Sequence, residues 1–283
     1  MNKNIYKTEE GRNIVETIYR KILTGYTAYP FEQLFVPTRC AQTHILKFGN
    51  PSKPSLIMIH GSVSNSAAWL GCISEFIDDF CIYCVDIPGE PGLSEPNRCS
   101  LNSKEPYEWL DSLLDYLKIE KAYFVTMSLG SWYALNFAIH KPEKIIAISM
   151  ITSGGLMPAK VSFIFKAVFY MLLGKTGQKM LNKAVYHKTE VPEEVLEFQT
   201  ITSRHFNPVM EALPIFSDKQ LKNIVSPIQF FGGECDSLID SVKTAERLKS
   251  LFPNADVHIL KDTGHVIINQ FSVIKKFLNQ TVL

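Results

Sequence analysis

The sequence predicts an α/β fold, with a mostly parallel central sheet flanked by helices, on three observations. Short, wholly apolar runs alternate with helical patterns along most of the chain, as expected of strands buried on both faces and joined by crossover helices. One such run, Ala122 to Val125, stops abruptly at Thr-Met-Ser-Leu-Gly130, and a helical pattern begins at once. Polar residues recur where the strand patterns end, and ligands of such sheets sit beyond the carboxyl ends of the strands.

Length and composition agree with this class. The 283 residues suffice for one large α/β domain or such a domain carrying an insertion. Apolar residues make up 46% and charged residues 20%, ordinary values for a soluble globular chain that argue against disorder. A net charge of +1 favours neither nucleic acid nor an anionic membrane as the main partner. The first ten residues lack the apolar core of a signal peptide. Cys40, Cys72, Cys81, Cys84, Cys99 and Cys235 are scattered rather than framework-spaced, so the expectation is reduced thiols in a cytoplasmic protein. Cys81 and Cys84 lie within a strand pattern, where residues three apart face opposite sides, so they do not form a redox or zinc pair.

In chain order, residues 10–24 carry Ile14, Ile18 and Ile22 among charges and read as an amphipathic surface helix. Residues 31–48 give two strand-like stretches before a turn rich in Pro and Gly. Residues 55–59 form a buried strand leading into the polar loop His60-Gly61-Ser62. Residues 80–85 form a strand ending at Asp86, and residues 106–117 an amphipathic helix with Pro106 in its first turn. After the strand before Ser128 come a helix over 129–140 and a strand over 145–151.

From about 156 to 221 no strand-like run appears, while helical segments span 161–173, 177–185 and 192–204. The first is rich in aromatics. Thirteen residues interrupted by Lys166 are too few to span a bilayer. Its expected place is over an apolar cleft, with peripheral lipid contact as the rival. A strand at 228–231, a helix at 242–251, a strand at 256–260 and a helix at 266–278 complete the pattern.

Four strand ends carry the chemistry. Ser128 sits at the apex of a strand–turn–helix, where a sharp turn exposes a hydroxyl and the next amide faces a developing oxyanion. Asp236 follows the strand at 228–231, and His265, in Lys-Asp-Thr-Gly-His, follows the strand at 256–260. His60-Gly61-Ser62 follows the strand at 55–59. Ser, then Asp, then His is the chain order of the hydrolase sheet.

On these residues the chain, over roughly 35–280, resembles serine α/β-hydrolases with a helical cap inserted after the sixth family strand. It is similar in particular to small bacterial carboxylesterases. The resemblance implies Ser128 as nucleophile, His265 as general base and Asp236 as the carboxylate that orients it. It also implies the backbone N–H groups of Ser62 and Leu129 as the oxyanion hole. Residues 1–155 and 222–283 would form the core, with 1–30 an N-terminal helical extension and 156–221 the cap.

The implied activity is cofactor-free hydrolysis of a small to medium hydrophobic ester through an acyl-serine. Thioesters, lactones and C–C bonds remain open on the same residues, as does a ligand-binding or signalling protein of this fold with little turnover. Serine at the apex argues against haloalkane dehalogenases and epoxide hydrolases, which place an aspartate there. No metal-ligand spacing such as H-E-x-x-H occurs. The apolar cap residues Phe163, Phe165, Phe169, Tyr170, Met171 and Leu172 predict a hydrophobic pocket, with Phe165, Phe169 and His205 as candidate substrate contacts.

Each site residue has a bland rival. The rival readings are Ser128 as a turn serine, Asp236 as a helix cap with Glu234 or Asp240 the true carboxylate, and His265 as a surface histidine. His60 reads as an architectural hydrogen-bonder. Two departures from the family stand out: Thr126 occupies the place two before the serine where Gly is usual, and the loop after Asp86 carries an extra residue between its glycines. Thr126 removes no catalytic atom and is read as a packing variation.

Overall fold

The computed structural model describes residues 5–26, 28–209 and 211–281; the side chains of Ile164, Met171 and Lys175 lie outside the described set. The apolar contribution expected of Met171 therefore falls outside the description. Helix α1 (Glu9–Gly25) precedes the antiparallel pair β1 (Phe31–Pro37) and β2 (Gln42–Phe48). β3 (Ser55–Ile59), the short helix α2 (Ile73–Phe76), β4 (Cys81–Val85), α3 (Glu105–Tyr116), β5 (Ala122–Met127), α4 (Leu129–His140) and β6 (Ile145–Ile151) follow. Four helices separate β6 from β7: α5 (Val161–Leu172), α6 (Gly174–Tyr186), α7 (Glu193–His205) and α8 (Asp218–Leu221). β7 (Ile228–Gly233), α9 (Ser241–Leu251), β8 (Asp256–Leu260) and α10 (Phe271–Gln280) complete the chain.

The eight strands form one sheet in the order β1-β2-β4-β3-β5-β6-β7-β8. β2 meets β4 antiparallel, and every pair from β4–β3 onward is parallel. Strand alternation divides the interior into two cores. Ile57, Ile59, Phe124 and Val85 face one side with Trp109 and Trp132, while Leu56, Met58, Tyr123 and Cys84 face the other with Trp69 and Phe76. A strand sandwiched in this way has no polar face, which is why these runs read as continuously apolar. Cys81 and Cys84 fall in opposite cores, as the period of two requires.

One expectation is refined and two are corrected. In α1 the buried face is Gly11, Val15, Tyr19 and Leu23, one residue beyond the isoleucines that suggested a surface helix. The buried hydroxyl of Tyr19 donates to Asp86 (3.1 Å), which anchors α1 to the sheet. The last helix begins at Phe271 rather than 266, because the chain must first place His265 and bury Ile267. Cys40 and Cys99, 59 residues apart, are joined by a disulfide with Cα atoms 6.2 Å apart, against the expectation of reduced thiols throughout. The β1–β2 turn and the loop after β4 meet there, a proximity that sequence spacing does not encode.

Candidate active site

Ser128 lies between β5 and α4 with φ +50° and ψ −109°, a backbone conformation that side chains rarely adopt. Its amide donates to Ile151 O (2.9 Å), and its carbonyl accepts from Ser131, Trp132 and Gly154. The turn is thus fixed from three directions. Gly130 explains why a glycine must follow closely: a Cβ there would lie 2.2 Å from Ile59 O and 2.6 Å from His60 O. Thr126 is not crowded in this way. Its buried hydroxyl donates to Ser131 Oγ (2.9 Å), so the unusual threonine ties strand to helix where a glycine would leave no bond.

The loops after β7 and β8 bring the other two residues to this turn. His265 Nδ1 is 2.8 Å from Asp236 Oδ2, and His265 Nε2 is 3.1 Å from Ser128 Oγ. An ionised carboxylate only accepts, so Nδ1 carries the hydrogen and Nε2 is left to accept from the serine hydroxyl. Asp236 is buried, which by itself raises its carboxyl; the imidazole of His265 and the N–H groups of Ile239 and Leu238 outweigh this and hold it below the usual carboxylate range. Ser241 Oγ also donates to it (3.2 Å). The rival carboxylates are engaged elsewhere: Asp240 caps α9 through Lys243 N, and Glu234 accepts from Asp262 N.

Leu129 opens α4, so its N–H belongs to the first turn, whose amides have no intrahelical acceptor. Gly61, next in the chain to Ser62, packs beside the Ser128 turn: a Cβ on it would be 3.4 Å from Ser128 Cβ. Four bonds tie this loop to the one after β4. Ile87 N donates to His60 Nε2 (3.0 Å), Ser66 N to Asp86 Oδ1 (2.7 Å), Asn65 Nδ2 to Pro91 O (3.0 Å) and Val63 N to Glu90 Oε2 (2.6 Å). His60 is buried with both ring nitrogens engaged, Nδ1–H donating to Gly61 O, which fits an architectural role. Burial pulls its pKa down.

Sequence reasoning missed Val63 and Glu90. Val63 has φ +55°, in the left-handed region where a β-branched residue is strained. Its amide is held by Glu90, which is only 3% exposed. Burial pushes the Glu90 carboxyl from its ordinary 4.5 up to about 7, with the Val63 amide and Arg98 opposing the rise. No glycine marks the left-handed position, and a glutamate between proline and glycine turns carries no periodic sign of burial.

The expected substrate contacts are not gathered at Ser128. Phe165 and Phe169 are 73% and 57% exposed, because α5 turns Phe163, Ala167 and Tyr170 toward the protein instead. His205 packs on α1, where a Cβ on Gly11 would lie 2.8 Å from its Nδ1. The segment between β6 and β7 nevertheless meets the site at its feet. Val185 O accepts from His265 N (3.0 Å), and Lys160 Nζ donates to Asp236 O (2.6 Å).

Among the described residues, one trio has metal-ligand chemistry within reach: His187, Cys235 and Asp262, with ligand atoms within 4.8 Å of one another. Asp262 is already paired with His187 and Lys188, and the trio is largely open to solvent. A groove of about 740 Å³ lined by Lys47, Tyr83 and Lys118 contains none of the site residues.

Comparison with known proteins accords with this geometry. Over 252 residues the chain is 27% identical to Uncharacterized carboxylesterase nap of Bacillus subtilis, covering 83% of this chain and 81% of the relative. It is 28% identical over 264 residues to Carboxylesterase YbfK of the same organism, covering 89% and 86%. The crystal structure of naproxen esterase from Bacillus subtilis superposes with a TM-score of 0.83 at 21% identity, covering 97% of this chain and 98% of that one, a likeness of fold. The model of the alpha/beta hydrolase family matches residues 56–271, most of the chain and all three of Ser128, Asp236 and His265. The chain belongs to the alpha/beta hydrolase family.

Proposed function

We propose that this protein is a serine hydrolase of carboxylic esters, with Ser128 as nucleophile, His265 as general base and Asp236 as the residue that orients it. The carrying observation is the relay of 3.1 Å from Ser128 Oγ to His265 Nε2 and 2.8 Å from Nδ1 to Asp236 Oδ2. The carboxylesterase relatives support the same substrate class.

A serine hydroxyl attacks an ester carbonyl only as its proton leaves, and His265 Nε2 is placed to accept it. Asp236 holds the tautomer and stabilises the imidazolium that forms. The amides of Leu129 and Ser62 receive the charge on the carbonyl oxygen; losing one such donor typically raises the barrier by about 2.7–4 kcal/mol. His265 then returns the proton to the departing alcohol, leaving an acyl-serine. Water, activated by the same imidazole, releases the acid. Protons and the acyl group balance within these residues and water.

Residues 156–221 act as a helical cap in this reading, since Lys160 before α5 and Val185 near the end of α6 bond to Asp236 and His265. The substrate is a small-molecule hydrophobic ester. Leu213, which meets the Gly154 position beside Ser128, supplies apolar surface on that side. A chain-length series of nitrophenyl esters beside matched thioesters tests the assignment. Turnover of short and medium esters is expected; inert esters with active thioesters would overturn it.

A further inference from the structure

Among the described residues, nothing covers the outer face of α5. Val161, Phe165, Val168, Phe169 and Leu172 are all exposed, Leu172 at 80%. Their spacing aligns them on one side of the helix, opposite the half-buried Phe163, Ala167 and Tyr170. Met180 of α6 is exposed as well. A monomer in water rarely leaves so large a contiguous apolar surface uncovered.

Charge identifies what covers it. Together α5 and α6 contain four lysines and no acidic residue, although the whole chain sums to only +1. The remainder is therefore net negative, and the positive charge gathers where the apolar stripe lies. Lys166 borders the stripe, and Lys179 and Lys183 are exposed on the next helix. A second copy of this face would set lysines against lysines. Aromatic and leucine side chains on α5 beside lysines on α5 and α6 match the interface of an anionic lipid layer.

We propose that the outer face of the α5–α6 hairpin docks on an anionic lipid surface, with Phe165, Phe169 and Leu172 entering the headgroup boundary and the lysines meeting lipid phosphates. The hairpin lies on the layer and does not cross it: α5 is about 18 Å long against an apolar core of about 30 Å. No helix among the described residues is long and apolar enough to span.

The surface is coupled to the site through the two feet of the hairpin. At one foot, Lys160 N donates to Leu238 O (2.7 Å) and Lys160 Nζ to Asp236 O (2.6 Å). At the other, Ser237 Oγ donates to Ala184 O (2.6 Å) and His265 N to Val185 O (3.0 Å). Docking therefore sets the lipid layer beside the loops that carry Asp236 and His265, where an apolar ester dissolved in that layer meets the protein.

Vesicle co-sedimentation of the full chain tests this without requiring turnover, so it fails or succeeds independently of the proposed hydrolysis. Binding is expected to vesicles of phosphatidylcholine mixed with phosphatidylglycerol, to weaken at high salt, and to be slight with phosphatidylcholine alone. Phe165→Ser with Leu172→Ser should abolish it while circular dichroism and thermal midpoint stay unchanged. Charge reversal at Lys166, Lys179 and Lys183 should weaken it by at least about a hundredfold. Failure of the wild type to sediment with either vesicle, or equal binding by the double serine variant, would overturn the proposal. So would a concentration-dependent dimer that disappears in the serine variant while vesicle binding is absent.

Discussion

Among the described residues, two buried histidine–aspartate pairs have the same length but different use. His44 Nδ1 is 2.8 Å from Asp86 Oδ2, and His265 Nδ1 is 2.8 Å from Asp236 Oδ2. Both carboxylates are buried and accept backbone amides, and both lie below the usual carboxylate range although burial alone would raise them. The difference lies at the other ring nitrogen. His44 Nε2 sits 3.1 Å from Oε1 of the exposed Gln33 side chain, whereas His265 Nε2 meets a hydroxyl on a strained turn. Pairing with a carboxylate fixes both imidazoles, and what Nε2 faces separates the proposed base, His265, from His44. Asp86 also gathers Tyr19, Ser66 and Leu93, so the first pair organises the loops around the site.

Substitution should separate the two pairs. The largest effect belongs to Ser128→Ala and His265→Gln, each expected to lower ester turnover on the order of 10⁴- to 10⁶-fold with no loss of thermal stability. Steady-state kinetics with a soluble nitrophenyl ester beside calorimetry measures both. Asp236→Asn should follow at about 10⁴-fold, acting through the wrong tautomer.

His44→Ala should behave in the opposite way. Leaving the buried Asp86 with its other hydrogen-bond donors but without its imidazole partner should cost about 3 kcal/mol of stability in denaturant titration, with turnover per folded molecule changed only a few-fold. A His44 variant that is fully stable but inactive would erase the distinction.

Glu90 gives the smallest and most pH-specific effect. Its carboxyl titrates near 7 in the fold against 4.5 ordinarily, so the native state binds the extra proton between those values. Its contribution is full below pH 4.5 and is lost as pH rises toward 7, by at most about 3 kcal/mol. Glu90→Gln keeps an oxygen for Val63 N–H and should flatten that slope in melts taken across the window. An unchanged slope would remove Glu90 as its source.

Much of this architecture was legible because burial on both sheet faces leaves strands largely apolar, as in β3, β5 and β6. The proposed catalytic residues were legible as motifs at strand ends, whose chain order carries information that single residues lack. Side-chain direction was less legible. Phe165 and Phe169 promised a pocket by composition, but apolar content alone does not say which side of α5 packs. In α1 the isoleucines drew attention one residue away from Tyr19, whose value lies in a hydroxyl reaching Asp86. The Cys40–Cys99 bridge and the Glu90–Val63 bond depend on loops meeting in space, for which one sequence offers no period. Net charge concealed the basic hairpin by averaging it with an acidic remainder.

The central claim is that Ser128 is a working nucleophile activated by His265. Labelling with a fluorophosphonate, read by intact mass, tests it most directly. One adduct per wild-type chain is expected, lost in Ser128→Ala, strongly slowed in His265→Gln and retained in His44→Ala. An unlabelled wild type, or undiminished labelling of Ser128→Ala, would contradict it.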